Sequence, residues 1–282
     1  MGLSIIIPFR DTPPDIKELR SNTEGAYEII LVNDGGDPKY AEYAGNNKCK
    51  YIYNEEPKGE AVCIDMGILA SLGEVVCYLP CDSKITTDDW AKEIYIQGLN
   101  HTRSIISFGY VKTGNVLKSP TKYFDKFLNL KDCTCQQDAK SVAIAPTAFF
   151  ANKKYYRLLR GLKLLKGVES IGLNLSMKAW LEGGDVRLAT NVKAVCPELK
   201  DQDPIMSVYD KIVIVLTLIP KELLPDYIND LAELDLFEEA MCLVDVNSHL
   251  IDDFRINNAL IFSEPFNMLD GINKIFRRLY GE

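Results

Sequence analysis

The sequence predicts an α/β fold built on a mainly parallel sheet with helices on both faces, and three observations predict it. Short apolar runs at Leu3–Phe9, Tyr27–Val32, Lys50–Asn54 and Val75–Leu79 recur along the first hundred residues, the pattern of strands covered on both faces. Segments of helical character separate them, and every connection is short, which implies parallel pairing through right-handed crossovers. The first, second and fourth runs give way at once to polar residues, as expected at the carboxyl ends of strands, where open α/β sheets bind their ligands.

Leu3–Phe9 (LSIIIPF) is closed by Pro8, and Arg10, Asp11 and Thr12 form a polar loop before Pro13 and Pro14 at the start of a helix through Ile16 and Leu19. Tyr27–Val32 ends in Asn33, Asp34, Gly35 and Gly36, where two glycines permit a sharp turn and close approach to a ligand. After Lys50–Asn54, Lys58 and Gly59 lead into a helix with Val62, Met66 and Leu69 at helical spacing, stopped by Gly73. The strand Val75–Leu79 runs into Asp82, Ser83 and Lys84. Thr86, Thr87, Asp88 and Asp89 then give capping and first-turn signals for a helix through Trp90, Ile94 and Leu99.

The chain has 282 residues, with 47% hydrophobic and 26% charged residues, ordinary for a globular protein with a full core. No apolar run approaches the ~20 residues that span a bilayer, and the chain enters a strand without a basic leader, so a cytoplasmic protein is expected. Most of the eight cysteines, Cys63, Cys77 and Cys242 among them, lie in apolar segments and read as buried thiols. Cys133 and Cys135, one residue apart with no histidine nearby, lack zinc-site spacing. The net charge of -8 hides an asymmetry: residues 103–200 carry roughly +10, which suggests an anionic ligand unless it marks solvated helix faces. No G-x-G-x-x-G follows the first strand and no G-x-x-x-x-G-K-[ST] occurs, which counts against dinucleotide, P-loop and nucleotidyltransferase readings.

The order SIIIPF, EIILVNDGG and KGEAVCIDMGILASLGEVVCYLPCD resembles the N-terminal half of a GT-A glycosyltransferase, and is most similar to family 2 and the polypeptide N-acetylgalactosaminyltransferases. The resemblance implies a nucleotide-diphosphate sugar donor, a UDP-sugar, with a divalent Mn or Mg ion left open. It implies that Pro8, Phe9, Arg10 and Asp11 wrap the base and ribose and that Asp34 reads the base. The helix at Gly59–Gly67, with Lys58 and Asp65, would close over the donor, and Asp82 would belong to the metal motif. Gly167–Gly184 reads as an amphipathic helix ended by a glycine pair and resembles the acidic helix of the same family, which makes Glu169 the candidate base or acceptor-orienting acid.

The chain departs from the family where metal is concerned. Pro80 or Lys84 stands where a second ligand is expected, no histidine occurs near Val192–Cys196, and Asp82 is the sole retained carboxylate. Lys84 could then neutralise the leaving diphosphate directly. Beyond that half, Ser104–Val111 predicts a strand, Pro120–Leu130 a helix, Lys131–Lys140 a loop over the site, and Val142–Phe150 a bend or edge because of Pro146.

Residues 1–204 are thus expected to form the GT-A domain, with 1–100 as the nucleotide-sugar half and 101–204 as the acceptor half. A polar linker at Glu198–Pro204 leads to residues 205–282, expected to be a small α/β appendix with strands at Lys211–Leu218, Ala240–Val246 and Ala259–Ser263 and helices at Lys221–Leu234 and Phe266–Tyr280. The expected activity is sugar transfer to a hydroxyl of a carbohydrate, or of a polyanion such as DNA carrying hydroxylated bases. A catalytically degenerate nucleotide-sugar-binding protein is the reading of another class.

Overall fold

The computed structural model describes residues 2–274 apart from 22, 24, 26, 114, 115, 119, 120, 133–140, 146, 197–202, 265, 268 and 272. Cys133, Cys135, Pro146 and most of the expected site loop and linker lie outside the described residues. Strand β1 (Leu3–Phe9) pairs in parallel with β2 (Glu28–Asp34) on one side and with β4 (Val75–Tyr78) on the other. Strand β3 (Lys50–Asn54) adds to β2, also in parallel. Alternate residues of these strands enter two different cores, Ile5 and Ile7 facing one side and Ile6 the other. Burial on both faces is why the runs are apolar throughout instead of alternating.

The sheet continues through β11 (Phe149–Asn152), β6 (Ser104–Thr113), β12 (Asp185–Val195) and β5 (Lys84–Ile85), in the order β3-β2-β1-β4-β11-β6-β12-β5, with β7 (Val116–Lys118) on β6. Strand β11 is antiparallel to both β4 and β6, so β6 and β12 run in the same direction as β4. Strand β11, which begins at the end of the apolar segment Val142–Phe150, is thus central in the sheet; Pro146, on which the expected bend rests, lies outside the described residues. Strands β8 (Thr121–Phe124), β9 (Leu130–Asp132) and β10 (Ala143–Ile144) form a second small sheet where a helix was expected over Pro120–Leu130. Thr121, Tyr123 and Phe124 are good strand formers, and Asp125 closes the β8–β9 turn by accepting from the N–H groups of Phe127 and Asn129.

Helices α1 (Ile16–Ser21) and α4 (Trp90–Asn100) cover one face, with Ile16, Trp90 and Ile94 buried; the short helix α2 (Tyr40–Asn46) links β2 to β3. Helices α3 (Glu60–Ala70), α5 (Lys153–Leu158) and α6 (Ile171–Leu181) cover the other. All 11 residues of α6 are buried, so the amphipathic helix expected there is instead enclosed. It is sandwiched between the sheet and the C-terminal helices.

The C-terminal segment is helical. Helices α7 (Pro204–Leu218), α8 (Leu224–Leu231) and α9 (Phe237–Asn258) replace the strands expected at Lys211–Leu218 and Ala240–Val246, and 259–262 is a turn. The run IVIVLTLI is β-branched and favours a strand locally, yet Asp203 caps it by accepting from the Ile205 N–H, and Pro204 occupies the first turn. Ile212, Val213, Ile214 and Val215 join the same core as Ile6, Val76 and Leu175. Tertiary burial overrides propensity here. Cys63 and Cys77 are buried, whereas Cys242 on α9 is exposed. Among the described residues no helix is long and apolar enough to cross a membrane.

Because α7 shares one core with the sheet, Ile212→Ala should lower the stability of the whole chain by about 3 kcal/mol, within the range for deleting a buried branched side chain. A denaturant titration checks it. The sheet and the C-terminal helices should unfold in one transition.

Candidate functional site

The carboxyl edge of β1, β2 and β4 gathers most of the candidate residues. Asp34, the last residue of β2, is 7% exposed, and its carboxylate accepts from the backbone N–H of Lys58 at 2.7 Å and of Gly59 at 3.0 Å. The Asn54 amide donates to it at 3.1 Å, and the Arg10 guanidinium lies 3.7 Å away while donating from Nε to the Asp34 carbonyl. Burial pushes the Asp34 carboxyl up, but the Lys58, Asn54 and Gly59 donors outweigh it and hold the group below the ordinary carboxylate range. Asp34 is therefore an anion that ties β2, the loop after β3 and the loop after β1 together.

The glycine pair serves the same closure. Gly35 has φ +80°, and a Cβ there would meet Pro57 at 2.8 Å; a Cβ on Gly36 would collide with the Arg10 carbonyl. The close approach expected at these glycines is made to the protein's own loops. Pro8 and Phe9 are buried as part of β1, Phe9 packing edge-on against Tyr40, so of the four residues expected to wrap the base and ribose Arg10 and Asp11 reach solvent. The Asp11 carbonyl accepts from the Tyr40 hydroxyl.

Asp82 follows β4 in a left-handed conformation, φ +66°, one that aspartate tolerates better than most residues. The chain then crosses the carboxyl edge to pair Lys84 and Ile85 with Val195 and Ala194 of β12. Thr87 accepts from the Lys193 N–H, and Thr86 donates its N–H to the Lys193 carbonyl. These threonines fasten the crossing instead of capping α4, which begins at Trp90. Asp82 and Lys84 line a cleft of about 380 Å³ with Pro14, Asp15, Glu18 and Pro80. Lys84 Nζ is 2.8 Å from Glu18, whose hydrogen bond and charge raise the lysine pKa. Arg10, Asp34, Lys58 and Glu169 do not line this cleft.

Asp65, expected against the donor, is placed elsewhere. It faces the loop after α5 and accepts from the Tyr156 hydroxyl at 2.6 Å and the Leu162 N–H at 3.1 Å. Glu169 lies just before α6. That helix precedes β12, which runs parallel to β4, so its N-terminus is at the carboxyl edge. Glu169 accepts from the Ser207 hydroxyl of α7 at 3.2 Å. Lys211, one turn further along α7, is bound to Asn129 at 2.5 Å; burial lowers its pKa against the opposing pull of Asp125 and Glu169.

Three features were hidden from sequence reasoning. Tyr78, fully buried at the end of β4, donates to Glu60 at 2.5 Å and so ties β4 to the start of α3; inside an apolar run nothing marks it. Asp210, buried on α7, accepts from the N–H groups of Lys166 and Gly167 at 2.8 Å, and burial pushes its carboxyl up to about 7 against those bonds. Lys178, buried on α6, donates to the Gly161 carbonyl at 2.8 Å and lies 5.0 Å from the Phe254 ring; burial brings it down to about 7 despite the attraction of Asp65. Asp65, Lys178 and Asp210 thus grip the 161–167 loop that leads to Glu169.

A family model described as glycosyl transferase family 2 matches residues 4–156, more than half of the chain. The chain belongs to glycosyl transferase family 2. Its fold resembles GalNAc-T7, solved with UDP, GalNAc and Mn2+, at TM-score 0.62 and 16% identity, covering 88% of this chain and 58% of that one. It also resembles S. aureus TarS 1-349 in complex with UDP-GlcNAc, at TM-score 0.51 and 16% identity, covering 85% of this chain and 72% of that one. At such identities the likeness shows the GT-A fold, which bears out the family resemblance drawn from the sequence. A comparison with curated proteins finds no match. The chain spans under two thirds of the length of GalNAc-T7.

The buried lysine makes a stability prediction. Lys178 titrates near 7 in the folded chain and near 10.5 when exposed, so folding expels its proton between those values and stability should rise as pH climbs through that window. Lys178→Met should flatten the rise in urea titrations at pH 7 to 9.5. An unchanged slope would exclude Lys178 as its source.

Proposed function

We propose that the protein transfers a sugar from a nucleoside-diphosphate sugar to an acceptor hydroxyl. A UDP-sugar is the donor favoured by the UDP and UDP-GlcNAc complexes of GalNAc-T7 and TarS. The observation that carries the reading is the carboxyl edge itself, where the closed Arg10–Asp34–Lys58 corner and the Asp82 crossing flank the end of β1. Strand spacing puts the ends of β2 and β4 about 10 Å apart across β1. A nucleotide laid over β1 would have Arg10 and Asp11 beside its base and ribose, and Asp82 and Lys84 beside its diphosphate.

Sugar transfer develops negative charge on the leaving diphosphate and requires the acceptor hydroxyl to lose a proton. Lys84 supplies a cation for the first need. Its pair with Glu18 is between exposed groups and binds weakly, so the ammonium can change partner when a diphosphate arrives. Glu169 supplies a carboxylate for the second, steadied by Ser207. Asp34 positions the Lys58–Gly59 turn and presents a charged edge to the base.

Asp82 and the neighbouring Cys81 thiol, held protonated by burial with its pKa pushed up to about 12, do not make a metal site by themselves. No group of three or more His, Cys, Asp or Glu residues that could hold a metal occurs among the described residues.

For the acceptor, a carbohydrate hydroxyl is the better supported class. The cations behind the DNA reading are spread out: Lys126 pairs with Asp230 and Glu233, Arg103 with Glu182, Arg187 with Asp185, and Lys178 is buried. Lys153 follows β11 at the amino edge of the sheet, opposite the site.

Calorimetry with UDP and turnover of UDP-sugars test the reading. Asp34→Ala should weaken UDP binding by about 1–3 kcal/mol, the cost of losing hydrogen bonds to a charged group. Lys84→Ala should cut turnover by at least about tenfold, since it removes the cation that stabilises charge on the leaving group. Tight UDP binding without hydrolysis or transfer of any UDP-sugar would instead establish the binding-protein reading. Loss of turnover on chelation with recovery on adding Mn²⁺ would show that the donor diphosphate completes a metal site.

A further inference from the structure

The amino edge of the sheet carries a surface for which the site has no use. Helix α3 ends there; its last turn exposes Leu69 at 72% and the segment just after it exposes Leu72 at 85% of their surfaces. Lys50, the first residue of β3, donates to the Ala70 carbonyl at 2.6 Å, and Lys153, the first residue of α5, donates to the Ser71 carbonyl. Those two bonds join three elements into one face, and α5 adds Lys154, Arg157 and Leu158, the last 42% exposed. Burial and the Arg157 charge lower the Lys153 pKa, opposed by Glu28. Of the nearby carboxylates, Glu28 is occupied by the Ser4 hydroxyl and the Leu72 N–H, and Glu74 by the Tyr95 hydroxyl.

Exposed leucines standing among cations, in a chain whose net charge is -8, are costly in water and mark a surface that meets something. We propose that this face docks on an anionic lipid bilayer, with Leu69, Leu72 and Leu158 entering the acyl boundary and Lys50, Lys154 and Arg157 meeting the headgroups. A bilayer rewards both halves of the patch, apolar insertion and attraction to anionic headgroups. Nucleic acid would reward only the cations. A second copy joined through a two-fold axis would set cations against cations. Docking in this sense leaves the carboxyl edge, with Asp34, Asp82 and Glu169, turned away from the bilayer and open to solution.

Flotation of the full chain with vesicles tests the proposal. The chain should float with phosphatidylglycerol–phosphatidylcholine vesicles and not with pure phosphatidylcholine, and less so as salt rises. Lys154→Ala with Arg157→Ala should lower the partition coefficient by roughly thirtyfold at low salt. Leu72→Ser with Leu158→Ser should lower it at every salt concentration. All these residues lie at the surface, so circular dichroism and UDP binding should be unchanged in each variant. No flotation with anionic vesicles at low salt would overturn the proposal. So would binding to duplex DNA without vesicle flotation, or a dimer in sedimentation that the leucine variant dissolves.

Discussion

The carboxylate of Asp34 is an anchor shared by three loops. It takes two backbone N–H groups from the Lys58–Gly59 turn, a side-chain amide from Asn54 and the guanidinium of Arg10, joining the ends of β1, β2 and β3. Backbone donors at the start of a helix have no intrahelical partners, so an anion there satisfies them and is in turn kept ionised. Gly35 and Gly36 let the loops come close enough for this to happen. Without the clamp the first turn of α3, including the Glu60 that receives Tyr78, would lose its fixed place relative to β4.

A second set of buried and half-buried polar groups performs the corresponding task for the loop that leads to Glu169. Asp65 from α3, Lys178 from α6 and Asp210 from α7 each bind backbone groups of the 161–167 loop. Burying charge is costly, and burial accordingly shifts Lys178 down and Asp210 up, each toward its neutral form. In return the loop is fixed from three directions. The loop delivers Glu169 to α7, where Ser207 donates to it and the half-buried Lys211 feels its charge, so the C-terminal helices help to place this carboxylate.

The same packing accounts for the uneven charge of the chain. Lys126 meets Asp230 and Glu233 across the contact with the C-terminal segment, so part of the central excess of cations is matched by carboxylates later in the sequence. Such exposed pairs add little stability each.

The first four strands of the sheet were legible in the sequence. Continuous apolar runs marked β1, β2 and β4 because each is buried on both faces, and Asp34 and Asp82 stood out because they are the first carboxylates after such runs. Tertiary structure decided the rest. The β-branched run in α7 became a helix because it could be buried on α6 and the sheet, which no local pattern shows, and β11 entered the centre of the sheet only because β4 and β6 offered free edges on both sides. Asp65 carries the same family signature as its neighbours but turns to the Leu162 loop, since the face a helical residue presents depends on what packs against it. Ser207, which donates to Glu169, lies far along the chain from it and in a segment with no motif. Contacts between residues distant in sequence leave no local signature, and only the packed fold brings them together.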